Sequence, residues 1–395
     1  MKFNFRPLCA LVALPLLSAS AQDLKFVAPR ATANPGISDQ TKRDAVQAYW
    51  TPEMLATARP MPIPQVDPAS LVSNNAPSTP EPVHFSAPGL PTIHSDAEIE
   101  SSTEAFPLNQ GLEAGALATP SPDAFNYEMP FNNFRTQNNK LFPYTAIGKL
   151  FFTIPAGTSE PAGNYVCSAA VSGTSNIVVT ARHCMWDYVS QKWYSNFVFY
   201  PGWNNGLDST LKGAWFPEWV STWTSGTGVL SLTTGWDIGI MVMEGVTRKG
   251  CGASGGNAIG VYTGWLGWTY GGDFTQRQWD IFGYPQAPPF EGNYLYQDDA
   301  ATGAFDPLGT TNVVEAGDPQ TGGTSGGPWV IGFNPSNGPN TNPNNNTSPG
   351  FYNLENGVNS FQWTSPSEPL AINGTIFQAA NFFNLYTYAK GLKCS

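Results

Sequence analysis

The sequence predicts an all-β protein in which turns connect many short strands. Of the 395 residues, 41% are hydrophobic and 13% are aromatic, whereas only 12% are charged. The chain also contains 40 Gly and 35 Pro, which interrupt helices and favour turns. Because long exposed helices and coiled coils need many Lys and Glu residues, this composition disfavours them.

Runs of β-branched and aromatic residues recur at short intervals after Lys140, and each run predicts a strand. The runs are Ala146–Ile154, Ile177–Thr180, Phe197–Tyr200, Ile238–Met243, Ala258–Tyr270, Trp279–Tyr284, Trp329–Phe333 and Ala371–Phe377. Turn pairs such as Asn205-Gly206 separate them, which is typical of a sandwich or of barrels. The segment Phe382–Lys393 predicts a short C-terminal helix.

The first 21 residues have the three parts of a secretory signal peptide. Lys2 and Arg6 are followed by the apolar core Leu8–Leu17 and by small residues that allow cleavage after Ala21. This core is shorter than the roughly 20 residues that span a bilayer, and no later stretch is apolar enough to cross one. We therefore expect a secreted, extracellular protein that does not insert into a membrane.

Residues 22–140 are predicted to be a propeptide-like, Pro-rich segment, either a folding aid or an inhibitor, that is removed on maturation. They contain sixteen prolines and no Cys. Prolines are too dense in Arg59–Pro68 and Pro77–Pro91 for a helix or a central strand, although Thr41–Ala58 could be helical. The polar stretch Asn132–Lys140 is a plausible cleavage site, and the alternative is a permanent flexible N-terminal arm.

Charge and cysteine content exclude several functions. The net charge of −11, from 18 basic and 29 acidic residues, repels a phosphate backbone and disfavours nucleic-acid binding. Four cysteines follow the signal peptide, and an even number in an exported protein predicts disulfides, with three possible pairings. With no C-x-x-C spacing and almost no histidine, we expect neither a metal nor another cofactor. The cysteines are Cys167, Cys184, Cys251 and Cys394.

His183, within Ile177–Cys184 (IVVTARHC), is the only histidine after His94. Histidine is the usual general base near neutral pH, because its unperturbed pKa is about 6.5. A single histidine is more often structural than catalytic, so its interpretation depends on the motifs that accompany it.

Ser325 lies in a glycine-rich stretch, Gly322–Trp329 (GGTSGGPW). Glycines on both sides of a serine allow a tight turn that exposes the hydroxyl group. They also direct backbone N–H groups, here those of Gly323 and Ser325, toward one point that can hold an oxyanion. The alternative is a glycine-rich turn without a catalytic role.

Asp237 interrupts an apolar run, Trp236–Met241 (WDIGIM). A buried carboxylate needs a charged or hydrogen-bonded partner, and orienting an imidazole is one such role. Asp187, four residues after His183, is the competing candidate, but its polar surroundings suggest exposure to solvent.

The order of these residues distinguishes two kinds of serine hydrolase. Gly323–Gly327 also matches G-x-S-x-G, the nucleophile elbow of α/β-hydrolases, in which the histidine follows the serine. No histidine follows Ser325, and the region does not suggest the long helix of that fold. The order His183, Asp237, Ser325 is instead that of chymotrypsin-like proteases.

The three motifs resemble those of the trypsin-like serine proteases. Thr180–Cys184 resembles T-A-A-H-C, Asp237–Ile240 resembles D-I-A-L, and Thr324–Pro328 resembles G-D-S-G-G-P. Within that superfamily, Thr321–Gly326 and Gly283–Pro285 are more similar to secreted microbial proteases of the glutamyl-endopeptidase-like branch.

This resemblance implies two packed antiparallel β-barrels with the catalytic triad in the cleft between them. The protease domain would comprise residues 141–395, with a first barrel at about 144–250 and a second at about 255–385. His183 and Asp237 would belong to the first barrel and Ser325 to the second. The implied function is that of a secreted serine endopeptidase, a monomer that cleaves proteins or peptides through an acyl-enzyme intermediate.

Three departures limit what the resemblance implies. Thr324 replaces the aspartate that binds a new N-terminal amine in many relatives, so activation by that ion pair is not available. Glutamyl endopeptidases use a second histidine to bind an acidic side chain, and none remains besides His183. Arg182 replaces a small residue beside the catalytic histidine.

The specificity pocket is the least defined part of the site. In the proteases that the chain resembles, the pocket floor lies about six residues before the nucleophile, which implies Pro319 here, with Asp318 beside it. Asp318 could favour a basic side chain, or it could be an ordinary carboxylate of a surface loop. Thr321 is a further candidate, and Val358–Ser360 resembles the strand whose serine lines the pocket and pairs with the substrate backbone.

The resemblance also implies that Cys167 and Cys184 are bridged, as in those proteases, which leaves Cys251 to pair with Cys394.

The alternative function is that of a catalytically silent extracellular binding protein on the same fold. Silent relatives typically lose the histidine or the serine, and this chain retains all three triad positions.

Overall fold

The computed structural model describes residues 30–36, 39–67, 86–87, 131–137, 140–206, 211, 213–224, 230–245, 258–272, 277–302, 312–335, 352–364 and 370–392. The predicted fold class is confirmed, since the protein is mostly β, with two curled antiparallel half-barrels and a short C-terminal helix. The strands are β1 (Ala31–Pro35), β2 (Arg59–Pro60), β3 (Gln65–Val66), β4 (Ser86–Ala87), β5 (Phe131–Arg135), β6 (Ile147–Ile154), β7 (Gly163–Val171), β8 (Ile177–Thr180), β9 (Trp186–Asp187), β10 (Lys192–Trp193), β11 (Ser195–Pro201), β12 (Pro217–Trp223), β13 (Gly239–Met243), β14 (Gly267–Thr269), β15 (Gln278–Gly283), β16 (Tyr296–Ala301), β17 (Val313–Gly317), β18 (Pro328–Ile331), β19 (Leu354–Trp363) and β20 (Ala371–Ile376). The α-helices are α1 (Gln40–Tyr49), α2 (Pro52–Thr57), α3 (Leu230–Thr233), α4 (Ile259–Thr263) and α5 (Asn384–Lys390).

The first half-barrel has the strand order β1-β12-β13-β8-β7-β6-β11, and β2 pairs in parallel with β7. Successive side chains of a strand point to opposite faces of its sheet. In β6 nearly every side chain is buried nonetheless, because β6 and β7 also lie against β15 and β18 of the other sheet. The apolar run that predicted β6 therefore reflects burial on both of its faces.

The second half-barrel has the order β17-β20-β19-β18-β15-β16-β5, with β3 and β14 paired in parallel to β19. Two buried tryptophans, Trp279 and Trp329, meet edge to face in its interior, with ring centroids 5.2 Å apart. The Trp329 Nε1 group donates to Asn359 Oδ1 at 2.6 Å, which satisfies the polar end of a fully buried ring.

Ser168 of β7 joins the two half-barrels where the candidate site lies. Its backbone N–H donates to Ser325 O at 2.8 Å, and its hydroxyl donates to Gly323 O at 2.9 Å. The same hydroxyl accepts from the Tyr284 N–H at 2.9 Å. One buried side chain thus fixes the glycine-rich loop against the first half-barrel.

Parts of the predicted presegment belong to the folded structure. Strand β1 pairs with β12, β5 pairs with β16, and the Trp50 indole donates to Asn196 O at 2.6 Å. The helix expected near Thr41–Ala58 is present as α1 and α2. Helix α1 is capped by the Asp39 side chain, and α2 by Thr51 with proline in its first turn.

Two expectations about secondary structure were wrong. The run Ala258–Tyr270 is not one strand but α4 followed by β14, because Gly264, with φ of 70°, ends the helix. Several strands were not predicted from an apolar run, among them β7, β12, β16 and β17. No helix of the described residues is long and apolar enough to cross a membrane, and the signal-peptide prediction falls on residues outside that part.

Candidate active site

The pairing of β8 with β13 brings His183 and Asp237 together. The two strands are antiparallel, with Thr180 opposite Gly239, so the end of β8 lies beside the start of β13. His183 follows β8 in a short 3-10 turn, and Asp237 comes just before β13. The His183 backbone N–H donates to Asp237 Oδ1 at 2.9 Å, and His183 Nδ1 lies 2.8 Å from Asp237 Oδ2.

Ser360 of β19 gives the carboxylate a further hydrogen bond. Its hydroxyl donates to Asp237 Oδ2 at 2.6 Å, so one acceptor atom joins side chains from both half-barrels. Burial alone would raise the pKa of Asp237. The His183 ring, the Ser360 hydroxyl and the His183 backbone N–H outweigh that effect and hold the pKa below its ordinary value.

The glycine-rich loop places Ser325 beside the histidine turn. Gly323 and Gly326 have φ angles of 97° and 79°, a conformation that favours glycine. A Cβ atom at Gly326 would clash with Thr180 and Ala181, which shows how closely this loop approaches the end of β8. Ser325 O also lies 3.6 Å from Cys184 Sγ.

The histidine and the serine are both covered and do not form a hydrogen bond to each other. Each residue is only 1% exposed, and neither His183 Nε2 nor Ser325 Oγ has a hydrogen-bond partner among the described residues. The Gly323 N–H, the predicted oxyanion donor, donates to Met61 O at 3.0 Å. The chemically active atoms of the candidate site are therefore beneath another part of the chain.

Asp187, the competing candidate, is not exposed as the sequence suggested. It is 1% exposed, and its carboxylate accepts from the Ser159 N–H at 2.6 Å and the Val189 N–H at 2.8 Å. The Ser190 hydroxyl also donates to it at 2.8 Å. This carboxylate stabilises neighbouring loops and does not contact His183.

Cys167 and Cys184 form a disulfide, which ties β7 to the turn that carries His183. The His183 ring lies within 4.8 Å of both sulfur atoms, but the two sulfurs are bonded to each other, so this group offers no thiolate to a metal. Cys251 and Cys394 lie outside the described residues, and their pairing stays a prediction.

Replacing Cys167 and Cys184 by serine is expected to lower the free energy of unfolding by about 3 kcal/mol. The bridge spans 17 residues of sequence, and closing a loop of that length constrains the unfolded chain by roughly this amount. Denaturant titration of the double variant measures the loss. Non-reducing peptide mapping of the wild type checks both pairings, and a Cys184–Cys251 peptide would contradict them.

The predicted pocket residues differ in their surroundings. Asp318 is fully buried rather than in a surface loop, and its Oδ1 accepts from the Gln320 N–H at 2.6 Å. Pro319 is half-buried, and the Thr321 hydroxyl donates to Ala287 O at 2.9 Å. Ser360 contacts Asp237, so the structure places it in the carboxylate's hydrogen-bond network.

Asp298, which the sequence analysis missed, is a second fully buried carboxyl near Asp318. Burial, together with the charge of Asp318, raises the pKa of Asp298. Burial also raises the pKa of Asp318, although the Gln320 N–H opposes this effect. No sequence motif marks Asp298, which stands beside Asp299 in β16.

Asp298→Asn is expected to make the stability less dependent on pH. A raised pKa means that the folded protein binds this proton more tightly, so its stabilising effect is complete below the unfolded pKa of about 3.9 and declines as pH rises toward the folded value. Both proteins would carry Ser325→Ala. Between pH 5 and pH 8, the Tm of the protein with Asp298 should fall more than the Tm of the protein with Asp298→Asn. Curves of Tm against pH that run parallel would contradict a raised pKa for Asp298.

Thr324 and Arg182, which differ from the motifs that the sequence resembles, are both buried. The Thr324 hydroxyl donates to Gln320 Oε1 at 2.7 Å and accepts from Asn359 Nδ2 at 2.9 Å, so neutral hydrogen bonds hold this part of the loop. Arg182 Nη2 donates to Ser231 Oγ at 2.7 Å, and its guanidinium lies over the Trp186 ring at 4.8 Å.

In sequence comparisons, no protein-family model and no curated protein matches this chain. Solved structures do resemble it. A thermostable serine protease from an extremophilic microorganism is 25% identical, with a TM-score of 0.48, over 63% of this chain and 98% of its own. The protease Anisep from Arthrobacter nicotinovorans is 24% identical, with a TM-score of 0.49, over 65% of this chain and 99% of its own. A Glu endopeptidase is 16% identical, with a TM-score of 0.44, over 66% of this chain and 97% of its own.

Proposed function

We propose that this protein is a secreted serine endopeptidase that cleaves protein or peptide substrates as a monomer, with Ser325 as its nucleophile. The observation that supports this most directly is the buried Asp237 carboxylate, which accepts from the His183 backbone and lies 2.8 Å from His183 Nδ1. A carboxylate at Nδ1 keeps the proton on that nitrogen, so Nε2 is free to act as a base.

The proposed reaction is acyl transfer in two steps. His183 Nε2 takes the Ser325 hydroxyl proton while Oγ forms a bond to the substrate carbonyl carbon. The C–N bond then breaks, and His183 gives the proton to the leaving amine. A water molecule then gives a proton to His183 and attacks the acyl-enzyme carbonyl, which releases the acid and restores Ser325. The N–H groups of Gly323 and Ser325 would stabilise the oxyanion in both steps.

Hydrolysis of a proteome-derived peptide library by the protein purified from culture medium tests this proposal. We expect cleavage by the wild type, at sites that also reveal the preferred residue before the scissile bond, and none by Ser325→Ala. Binding to peptides or sugars without any Ser325-dependent cleavage would instead support the alternative, a catalytically silent extracellular binding protein.

The secreted, active form is expected to begin between Arg135 and Pro143. This proposal assigns residues 1–21 to a signal peptide, residues 22–140 to a removable segment and residues 141–395 to the protease domain. It is motivated by the Pro-rich, Cys-free composition that ends at Lys140. N-terminal sequencing of the active species determines the boundary, and an active protein that starts at Gln22 would refute it.

A further inference from the structure

A short stretch of the presegment, Ala58–Val66 (ARPMPIPQV), crosses the candidate active site, and we call it the cleft strand. Its central carbonyl, Met61 O, accepts from the Gly323 N–H at 3.0 Å. That N–H is the donor that would stabilise an oxyanion during acyl transfer. The cleft strand therefore occupies a position that a substrate carbonyl must reach.

Both half-barrels bind the cleft strand through backbone hydrogen bonds. On the first, β2 runs parallel to β7, and the Met61 N–H donates to Val166 O at 2.9 Å. On the second, the N–H groups of Gln362 and Thr364 donate to Pro64 O and Val66 O, both at 2.9 Å. A segment bound in this way lies along the cleft between the two sheets.

Side chains add to these backbone contacts. Ile63 is 7% exposed and packs in the apolar interior of the second half-barrel, in the cluster that contains Trp329 and Ile372. Arg59 donates to Ala162 O at 2.8 Å, and its guanidinium lies 4.5 Å from the centre of the Tyr165 ring. An apolar anchor and a cation thus bind opposite sides of the cleft.

The glycine-rich loop leaves space for the cleft strand to pass close to its backbone. A Cβ atom at Gly322 would lie 2.9 Å from Met61 O, closer than such contacts normally are, so a glycine is needed where the cleft strand passes. His183 and Ser325, beside this loop, are each only 1% exposed. A substrate cannot contact the two side chains while they are buried and Met61 O occupies the Gly323 N–H.

Alternating prolines make the cleft strand a poor substrate for the site that it covers. Pro60, Pro62 and Pro64 lack N–H groups, and the carbonyl at the Gly323 N–H belongs to the Met61–Pro62 bond. Acyl transfer at that bond would require His183 to protonate a nitrogen that carries a proline ring in place of an amide hydrogen. The ring crowds this step and fixes the backbone angle φ.

We propose that the cleft strand is a built-in inhibitor, and that its peptide also binds the mature enzyme as a separate molecule. This inference rests on the proposed protease function. In the intact chain the cleft strand occupies the Gly323 N–H, two residues from Ser325, and so excludes a substrate carbonyl from that donor. After maturation, the chain that contains residues 58–66 is a competitive ligand of the same cleft.

The rate at which a fluorophosphonate labels Ser325 tests this inference in the full-length chain, with intact mass used to confirm that it is unprocessed. Ile63→Glu places a charge in the apolar interior and should release the cleft strand, so we expect labelling at least tenfold faster than in the wild type. Ala56→Glu introduces the same residue at an exposed position of α2 and should label as slowly as the wild type.

The second arm adds the peptide of residues 57–67 to processed wild-type enzyme, which does not depend on the folding of any variant. The peptide should slow labelling, and the same peptide with Ile63→Glu should not. If the processed enzyme labels at the same rate with or without the peptide, the inference is wrong while the protease proposal stands. If the processed enzyme shows no labelling of Ser325 at all, the proposed function itself is wrong.

Discussion

Replacing Ser325 by alanine is expected to reduce kcat by about 10⁴- to 10⁶-fold in the processed protein, and His183→Ala should cost a similar factor. Without the hydroxyl no acyl-enzyme can form, and without Nε2 the hydroxyl keeps its proton. Because the two residues act in one step, the double variant should lose little more than either single variant.

Steady-state hydrolysis of a chromogenic peptide, chosen from the library cleavage sites, measures these losses. Ser195→Ala, at an exposed position of β11, is a matched control that should retain wild-type turnover. Circular dichroism shows whether each variant is folded. Ser325→Ala or His183→Ala with activity within tenfold of the wild type would exclude the proposed mechanism.

Asp237→Asn is expected to lower kcat by about 10⁴-fold while KM changes little. The carboxylate accepts from two groups of His183 and from the Ser360 hydroxyl, whereas an amide can present an N–H to the ring. The ring would then carry its proton on Nε2, and it could no longer remove the Ser325 proton.

Asp187→Asn is the control for this prediction, because Asp187 is also buried but contacts only neighbouring loops. We expect it to lower the Tm and to leave kcat near the wild-type value. A loss of turnover in Asp187→Asn, with Asp237→Asn still active, would reverse the assignment of the two carboxylates.

The candidate catalytic residues could be predicted from the sequence because local patterns surround them. His183 and Asp237 lie at the adjacent ends of two paired strands, and both strands consist almost entirely of apolar residues. Ser325 is marked by the glycines that its loop conformation requires. In each case the chemistry of the residue and the pattern beside it indicate the same role.

The contacts of the cleft strand could not be predicted from composition. Its partners, such as Val166, Gly323 and Gln362, are more than a hundred residues away in the chain. Prolines at alternate positions argued against a strand there, and β2 and β3 are indeed only two residues long. Backbone groups between the prolines nevertheless provide enough donors and acceptors to bind two sheets.

Buried polar residues explain two of the missed strands. β16 contains two adjacent aspartates, and β17 contains Glu315, so neither shows the apolar pattern on which strand prediction depends. Asp187 was expected to be exposed for the same reason. It accepts from the Ser159 N–H and hydroxyl of a separate loop, and the sequence around Asp187 does not identify these donors.

The central claim, that His183 activates Ser325 as a nucleophile, is tested most directly by mapping the residue that a fluorophosphonate modifies in the processed protein. Mass spectrometry of the digested product should locate one adduct, on Ser325, at close to one equivalent per molecule. The adduct should be absent from Ser325→Ala and form several orders of magnitude more slowly in His183→Ala. An active wild-type protein without an adduct on Ser325, or equal labelling of His183→Ala, would contradict the account.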